Sequence, residues 1–141
     1  MADTAQTLQL TSDGAMKMLQ AGMEKARSMG VPQCISIVDA GGHMLAFVRM
    51  DGAFSMSLET SLRKARTAAA YGLPTGHIEA GIDIKLAMGT DGQRINLPGG
   101  LPVIIDGEIA GAIGVGSGTG AQDLEVAKAA IAAIEGAQSF D

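Results

Sequence analysis

Two periodicities of apolar residues follow one another along this chain. In the first stretch Met16, Leu19, Met23 and Ala26 recur at helical spacing. They mark one face of an α-helix, predicted over 11–29. Thr11 stands where a capping residue belongs, and Gly30 and Pro32 end the helix. Then "QCISIVD", 33–39, and "HMLAFVRM", 43–50, read as strands joined by a short loop of Ala40, Gly41 and Gly42. Pairing Asp39 with His43 sets Ile37 opposite Leu45, Ile35 opposite Phe47 and Gln33 opposite Arg49. A period of two puts those eight residues on one face, apolar at its centre and polar at its ends. Such a face suits a pocket wall or an oligomer contact. Cys34, Ser36, Val38, Met44, Ala46, Val48 and Met50 fall on the other face, for helices to cover.

No internal repeat stands out, and helix and hairpin signals continue along the chain. A helix is predicted over 55–72, with Leu58, Leu62, Ala65 and Ala69 as its core stripe and Lys64, Thr67 and Tyr71 flanking it. Ser55 and Ser57 read as its N-caps, Glu59 precedes Arg63 by one helical turn, and Gly72 and Pro74 end it. A short helix follows from about Thr75 to Met88, then a glycine-rich loop over 89–100. "LPVIID" and "EIAGAIGV" form a second hairpin about Asp106-Gly107, a strong two-residue turn signal. A last helix starts near Thr119, which has capping-box spacing to Gln122. Its stripe is Leu124, Ala127, Ile131 and Ile134. Two hairpins separated by helices predict an α+β fold. An antiparallel sheet carries packed helices, in one domain spanning 1–141.

Composition narrows the function classes. The net charge is −5, with no Trp, one Tyr and three Phe. That balance disfavours nucleic acid and anionic membrane surfaces as partners. No apolar run approaches the ~20 residues of a membrane span. The first ten residues carry no secretory pattern, so a cytoplasmic location is expected. Cys34 stands alone in an apolar run and reads as a buried small residue rather than a disulfide or zinc ligand. An apolar fraction of 47% in so short a chain predicts a homo-oligomer.

The polar residues offer several kinds of chemistry. Asp39 beside His43 could orient the imidazole and raise its basicity, for proton transfer or for holding a metal or haem. Arg49, Arg63, Lys64 and Arg66 concentrate positive charge in an acidic chain, and Arg49 or Lys64 could hold a carboxylate. "GSGTGA", 116–121, imitates a dinucleotide fingerprint, but no strand follows to place a ribose-binding acid, so that reading is rejected. What remains is a set of backbone N–H groups near Gly99, Gly100, Gly116, Ser117 and Gly118, able to meet an anion. His77 reads as a surface residue. The two histidines lack metal-site spacing, and no Ser-His-Asp order is present.

"ISIVDAGGHMLAFVRMDGA", "KARTAAAYGLPT", "LPGGLPVIIDGEIAGAIGVG" and "QDLEVAKAAI" resemble the GlcG/HbpS family, the haem-degrading domain family. The resemblance spans roughly residues 10–135. It implies a profilin-like fold and assembly into oligomers. Some relatives bind haem or are linked to its degradation, others are fused to cobalamin adenosyltransferases, and many lie in catabolic operons. Asp39, His43, Arg49, Asp51, Lys64, Gly99, Gly100 and Asp123 are among the matching positions. Where relatives often read "GVSGG", this chain has "GVGSG" at 114–118.

Three functions are compatible with these residues. The first is a small-ligand binding protein, the ligand bearing a carboxylate and haem the named candidate. His43 would be the metal ligand if haem binds, with Arg49 or Lys64 at the propionates. The second is a cofactor-free catabolic enzyme in which His43 and Asp39 move a proton on a small organic acid. The third is a structural subunit without its own site.

Overall fold

A computed structural model describes residues 1–141. The first helix, α1, spans Ser12–Met29, and the Thr11 hydroxyl accepts the Gly14 N–H at its start. Strands β1 (Cys34–Asp39) and β2 (Met44–Arg49) follow, then α2 (Ser57–Tyr71), closed by Gly72 in the left-handed region. A short α3 covers Ile82–Gly89, not the longer stretch from Thr75. The second hairpin is β3 (Gly100–Ile105) and β4 (Glu108–Gly116), and α4 (Gly120–Ala132) ends the regular structure. Asp106 and Gly107 both take positive φ, 52° and 78°, as a two-residue type I′ hairpin turn requires. Thr119 and Gln122 form the expected capping box.

All strand pairs are antiparallel, in the order β2-β1-β4-β3. Helices α1 and α4 pack on one face. Their Met18, Leu19, Val126 and Ile131 meet Ile35, Ile37, Leu101, Val103, Ile113 and Val115 from the sheet. Ile35 and Ile37 are wholly buried, each worth ~1.5–3 kcal/mol of burial. Ile35 and Ile37, at the centre of the face read as a pocket wall or oligomer contact, therefore belong to the main core.

Helix α2 covers the other face, with a stripe that keeps the predicted Ala65 and Ala69 but not Leu58. It buries Ser57, Ser61, Lys64, Ala65, Thr67, Ala68 and Ala69 and leaves Leu58 exposed. The cause is the surface beneath it. Ala112, Gly114 and Gly116 of β4 present almost no side chain, so the helix backbone lies directly on the strand. A Cβ at Gly114 would run into the Ser61 carbonyl. Only small residues fit between, and Ser36 and Ser61 join their hydroxyls across the gap at 2.8 Å. Ser57 is buried in this contact. Neither it nor Ser55 caps α2, whose N-cap position is Met56 with no side-chain bond.

The first hairpin also departs from the expected register. Val38 pairs with Met44, but Ile37 pairs with Ala46, Ile35 with Val48 and Cys34 with Arg49. Leu45 is the extra residue of a β-bulge. A slip of one residue moves side chains to the opposite face. Arg49 consequently lies beside Cys34 on the α2 side, whereas His43 stays with Asp39 on the α1 side. No helix of the structure is long and apolar enough to cross a membrane.

Candidate functional site

Most of the polar residues singled out above gather in two places, one presented to solvent and one sealed.

The presented group is at the β1–β2 turn. Asp39 Oδ1 accepts the backbone N–H groups of Gly41 and His43, each at 2.9 Å. The same carboxylate meets His43 Nδ1 at 3.1 and 3.3 Å through its two oxygens. Burial pushes the Asp39 carboxyl up, but the His43 N–H, the imidazole and the Gly41 N–H outweigh it and hold the group below its usual range. Gly41 has no side chain to block the ring; a Cβ there would sit 2.9 Å from His43 Cε1. The loop is braced from α2 by Arg66, which donates to the Gly42 carbonyl at 3.0 Å and to the Gln93 side chain at 3.1 Å. The imidazole is thus anchored at Nδ1 while its side chain stays 81% exposed. Beside it an open hollow of about 280 Å³ is lined by Thr7, Leu8, Gln9, Asp39, Ala40, Gly41 and His43.

The sealed group lies where α2, α4 and the end of β4 meet. Lys64 Nζ donates to Asp123 Oδ2 at 2.9 Å and to the Val115 carbonyl at 2.7 Å, with both side chains about 5% exposed or less. Asp123 Oδ1 accepts the Gly118 N–H at 2.9 Å, and the Gly100 N–H is taken by the Thr75 hydroxyl at 2.8 Å. Gly99 and Gly100 are buried, and Gly116 is buried within β4, where it pairs with Cys34. Ser117 Oγ accepts the Phe54 N–H. The structure therefore brings Lys64, Gly99, Gly100, Gly116, Ser117 and Gly118 together, but as an internal polar joint. The Lys64 ammonium and the N–H groups of Gly100 and Gly118 already have partners. Gln33 is also wholly buried there, with neither amide atom hydrogen-bonded within the chain.

Arg49 belongs to neither group. It is exposed and borders an open cleft at the sheet edge with Met23, Arg27, Val48, Met50 and Asp51. The shared hollow expected for His43 and Arg49 does not form, because the Leu45 bulge turns the two residues to opposite sides. Arg63 pairs with Glu59 at 3.2 Å, as its spacing predicts. Cys34 is buried, and that burial pushes its thiol up, away from the reactive thiolate. Sequence reasoning missed Arg66 as the brace of the turn. Its place one turn before Ala69 and Ala70 gave no hint of a partner 24 residues upstream.

The comparisons agree with this architecture. The family model described as haem degrading protein HbpS-like matches residues 10–132. Protein GlcG of Escherichia coli (strain K12) is 40% identical over 107 residues, covering 75% of this chain and 80% of its own. The crystal structure of Klebsiella pneumoniae protein ORFY superposes with a TM-score of 0.90 at 33% identity, covering 94% of this chain and 95% of that one. The structure of a PduOC:haem complex superposes with a TM-score of 0.86 at 29% identity, covering 95% and 100%. With the sheet, the turn and the sealed joint all matched by one family model over most of its length, the chain belongs to the HbpS-like family of haem-degrading proteins.

Proposed function

We propose that this chain binds a small ligand at the β1–β2 turn, and that the ligand is haem, held through Nε2 of His43. The observation that carries the reading is the Asp39–His43 pair. A carboxylate on Nδ1 fixes the ring and its tautomer and strengthens Nε2 as a donor to a metal. The bonded ring nitrogen is Nδ1, and the side chain is 81% exposed, which leaves Nε2 for a ligand. The donor set suits haem iron, and a haem-bound relative of the same fold supports the choice. Haem would bring a redox-active iron and two carboxylates. The protein's part is to hold the imidazole, through Asp39, Gly41 and the Arg66 brace.

The reading of a proton-transfer enzyme sets His43 and Arg49 on one substrate, with N–H groups near Gly99–Gly100 or Gly116–Gly118. It is the weaker reading, because the bulge parts His43 from Arg49 and the Gly100 and Gly118 N–H groups have partners. Self-association belongs to the proposal. Phe54, Met56 and Leu58 are 66%, 72% and 41% exposed at the start of α2, an apolar patch that suits a second copy. A lone buried thiol is in keeping with a reducing, cytoplasmic compartment.

Titration of the purified protein with hemin, followed in the Soret region, tests the proposal. A shifted band saturating at one equivalent per chain is expected. A spectrum that stays that of free hemin throughout would reject it. Sedimentation velocity decides the oligomer: a single monomeric species at all concentrations would remove that part.

A further inference from the structure

A second hollow, of about 330 Å³, lies beneath the C-terminal end of α2, lined by Thr67, Tyr71, Leu73, Pro74, Thr75, His77 and Ile78. Its walls are almost entirely carbon, and no Lys, Arg, Asp or Glu is among them. None of these residues belongs to the His43 turn. From this geometry we infer that the hollow is a separate binding site for an uncharged, single-ring organic molecule carrying one hydroxyl or carbonyl group, recognised by the Tyr71 hydroxyl and the His77 ring.

Three features support this. First, the walls are built in advance. Thr75 donates its N–H to the Gly100 carbonyl at 3.0 Å and its hydroxyl to the Leu97 carbonyl at 2.5 Å, while accepting the Gly100 N–H. Asn96 clasps Ile78 from both sides, accepting its N–H at 2.9 Å and donating to its carbonyl at 2.8 Å. Gly76 is packed against Pro98 so tightly that a Cβ would sit 2.8 Å from its nitrogen. A wall fixed by so many bonds loses little freedom when a ligand arrives.

Second, the polar groups are sorted. The Thr67 hydroxyl is spent on the Arg63 carbonyl and the Ile95 N–H, and the Thr75 hydroxyl on Leu97 and Gly100. Tyr71 and His77 are both exposed side chains left to meet a ligand. An apolar hollow with a few convergent polar groups is the usual form of a small-molecule site. Third, Leu73 stays 60% exposed and Tyr71 47% exposed at the mouth. A ring in the hollow would cover that exposed apolar surface. Charge sets the ligand class, because a lining without Lys, Arg, Asp or Glu disfavours a charged ligand, and a hollow of about 330 Å³ seats a single ring between its walls.

The probe is 4-fluorophenol, observed by 19F NMR with the intact chain, and the Ile78 methyl signals give an independent readout from the hollow's wall. Saturable broadening of the fluorine line is expected, with a matching shift of the Ile78 methyl signals. Tyr71→Phe and His77→Ala should each weaken binding about three- to tenfold. Leu73→Asp, at an exposed position that folding does not need, should abolish it, and hemin binding should be unchanged in all three variants. The inference is overturned if the line shows no saturable change or if the three variants bind 4-fluorophenol like the parent. It is equally overturned if binding vanishes as the protein self-associates, which would give the hollow to a second copy.

Discussion

The β1–β2 turn and the α2–α4 joint are made from the same kinds of residue, a carboxylate, a cationic or imidazole partner and nearby glycines, yet they do opposite things. At the turn, Asp39 holds a ring that remains 81% exposed. At the joint, Asp123 holds the ammonium of a side chain that is only 5% exposed. Family-like motifs run through both. Matching a motif therefore says that a residue is needed, and only burial says for what. The turn spends its hydrogen bonds on aiming a side chain outward; the joint spends them on closing the end of the sheet.

The widest gap between the two should appear in stability. Breaking the sealed pair from one side leaves an unpartnered buried charge, so Lys64→Met or Asp123→Leu should each cost about 3–5 kcal/mol in denaturant unfolding. The double replacement should recover most of that loss. Full additivity of the two single losses would mean that the pair does not act as a unit.

A smaller effect is expected where α2 lies on β4. Gly114→Ala adds one methyl against the Ser61 backbone and should cost about 1–3 kcal/mol, read as a lowered denaturation midpoint with unchanged slope. Unchanged stability would mean that the helix can lift away freely.

Acid separates the regions differently. The folded Asp39 carboxyl lies below its ordinary value, so its contribution is fully present above about pH 3.9, the unfolded value. It is lost as pH falls through the lower, folded value. The amide signals of Gly41 and His43 should shift together in that range, ahead of global unfolding. A transition at or above the ordinary carboxylate value would contradict the hydrogen bonds drawn to Oδ1.

The smallest change should come from Arg49→Ala. An exposed residue away from both groups should alter stability by no more than about 0.5 kcal/mol and leave hemin binding as it was. A clear loss of hemin binding would return Arg49 to the site.

Much of this was legible in the chain. The Thr11 and Thr119 caps, the Asp106-Gly107 turn and the alternation of helices and hairpins all follow from local rules, because each depends on a few adjacent residues. The Asp39–His43 contact was legible for the same reason. The bulge was not: Leu45 is an ordinary apolar residue with no glycine or proline to mark it, and that single extra residue decided the fate of Arg49. The stripe of α2 was legible at Ala65 and Ala69 but misplaced at Leu58, because hydrophobicity was ranked without knowing the surface below. Against Gly114 and Ala112, Ser61 and Ala65 fit where Leu58 cannot. Lys64 looked like a ligand-binding cation because its partner Asp123 stands 59 residues away, on the far side of two strands.

The most direct test is a comparison of three proteins at equal hemin concentration: the parent, His43→Ala and Asp39→Asn. The account predicts that His43→Ala loses the shifted Soret band while its unfolding curve barely moves. Asp39→Asn should keep the band but bind about tenfold more weakly, as expected for loss of the group that orients a metal-binding imidazole. A His43→Ala protein that binds hemin with the parent's spectrum and affinity would contradict it.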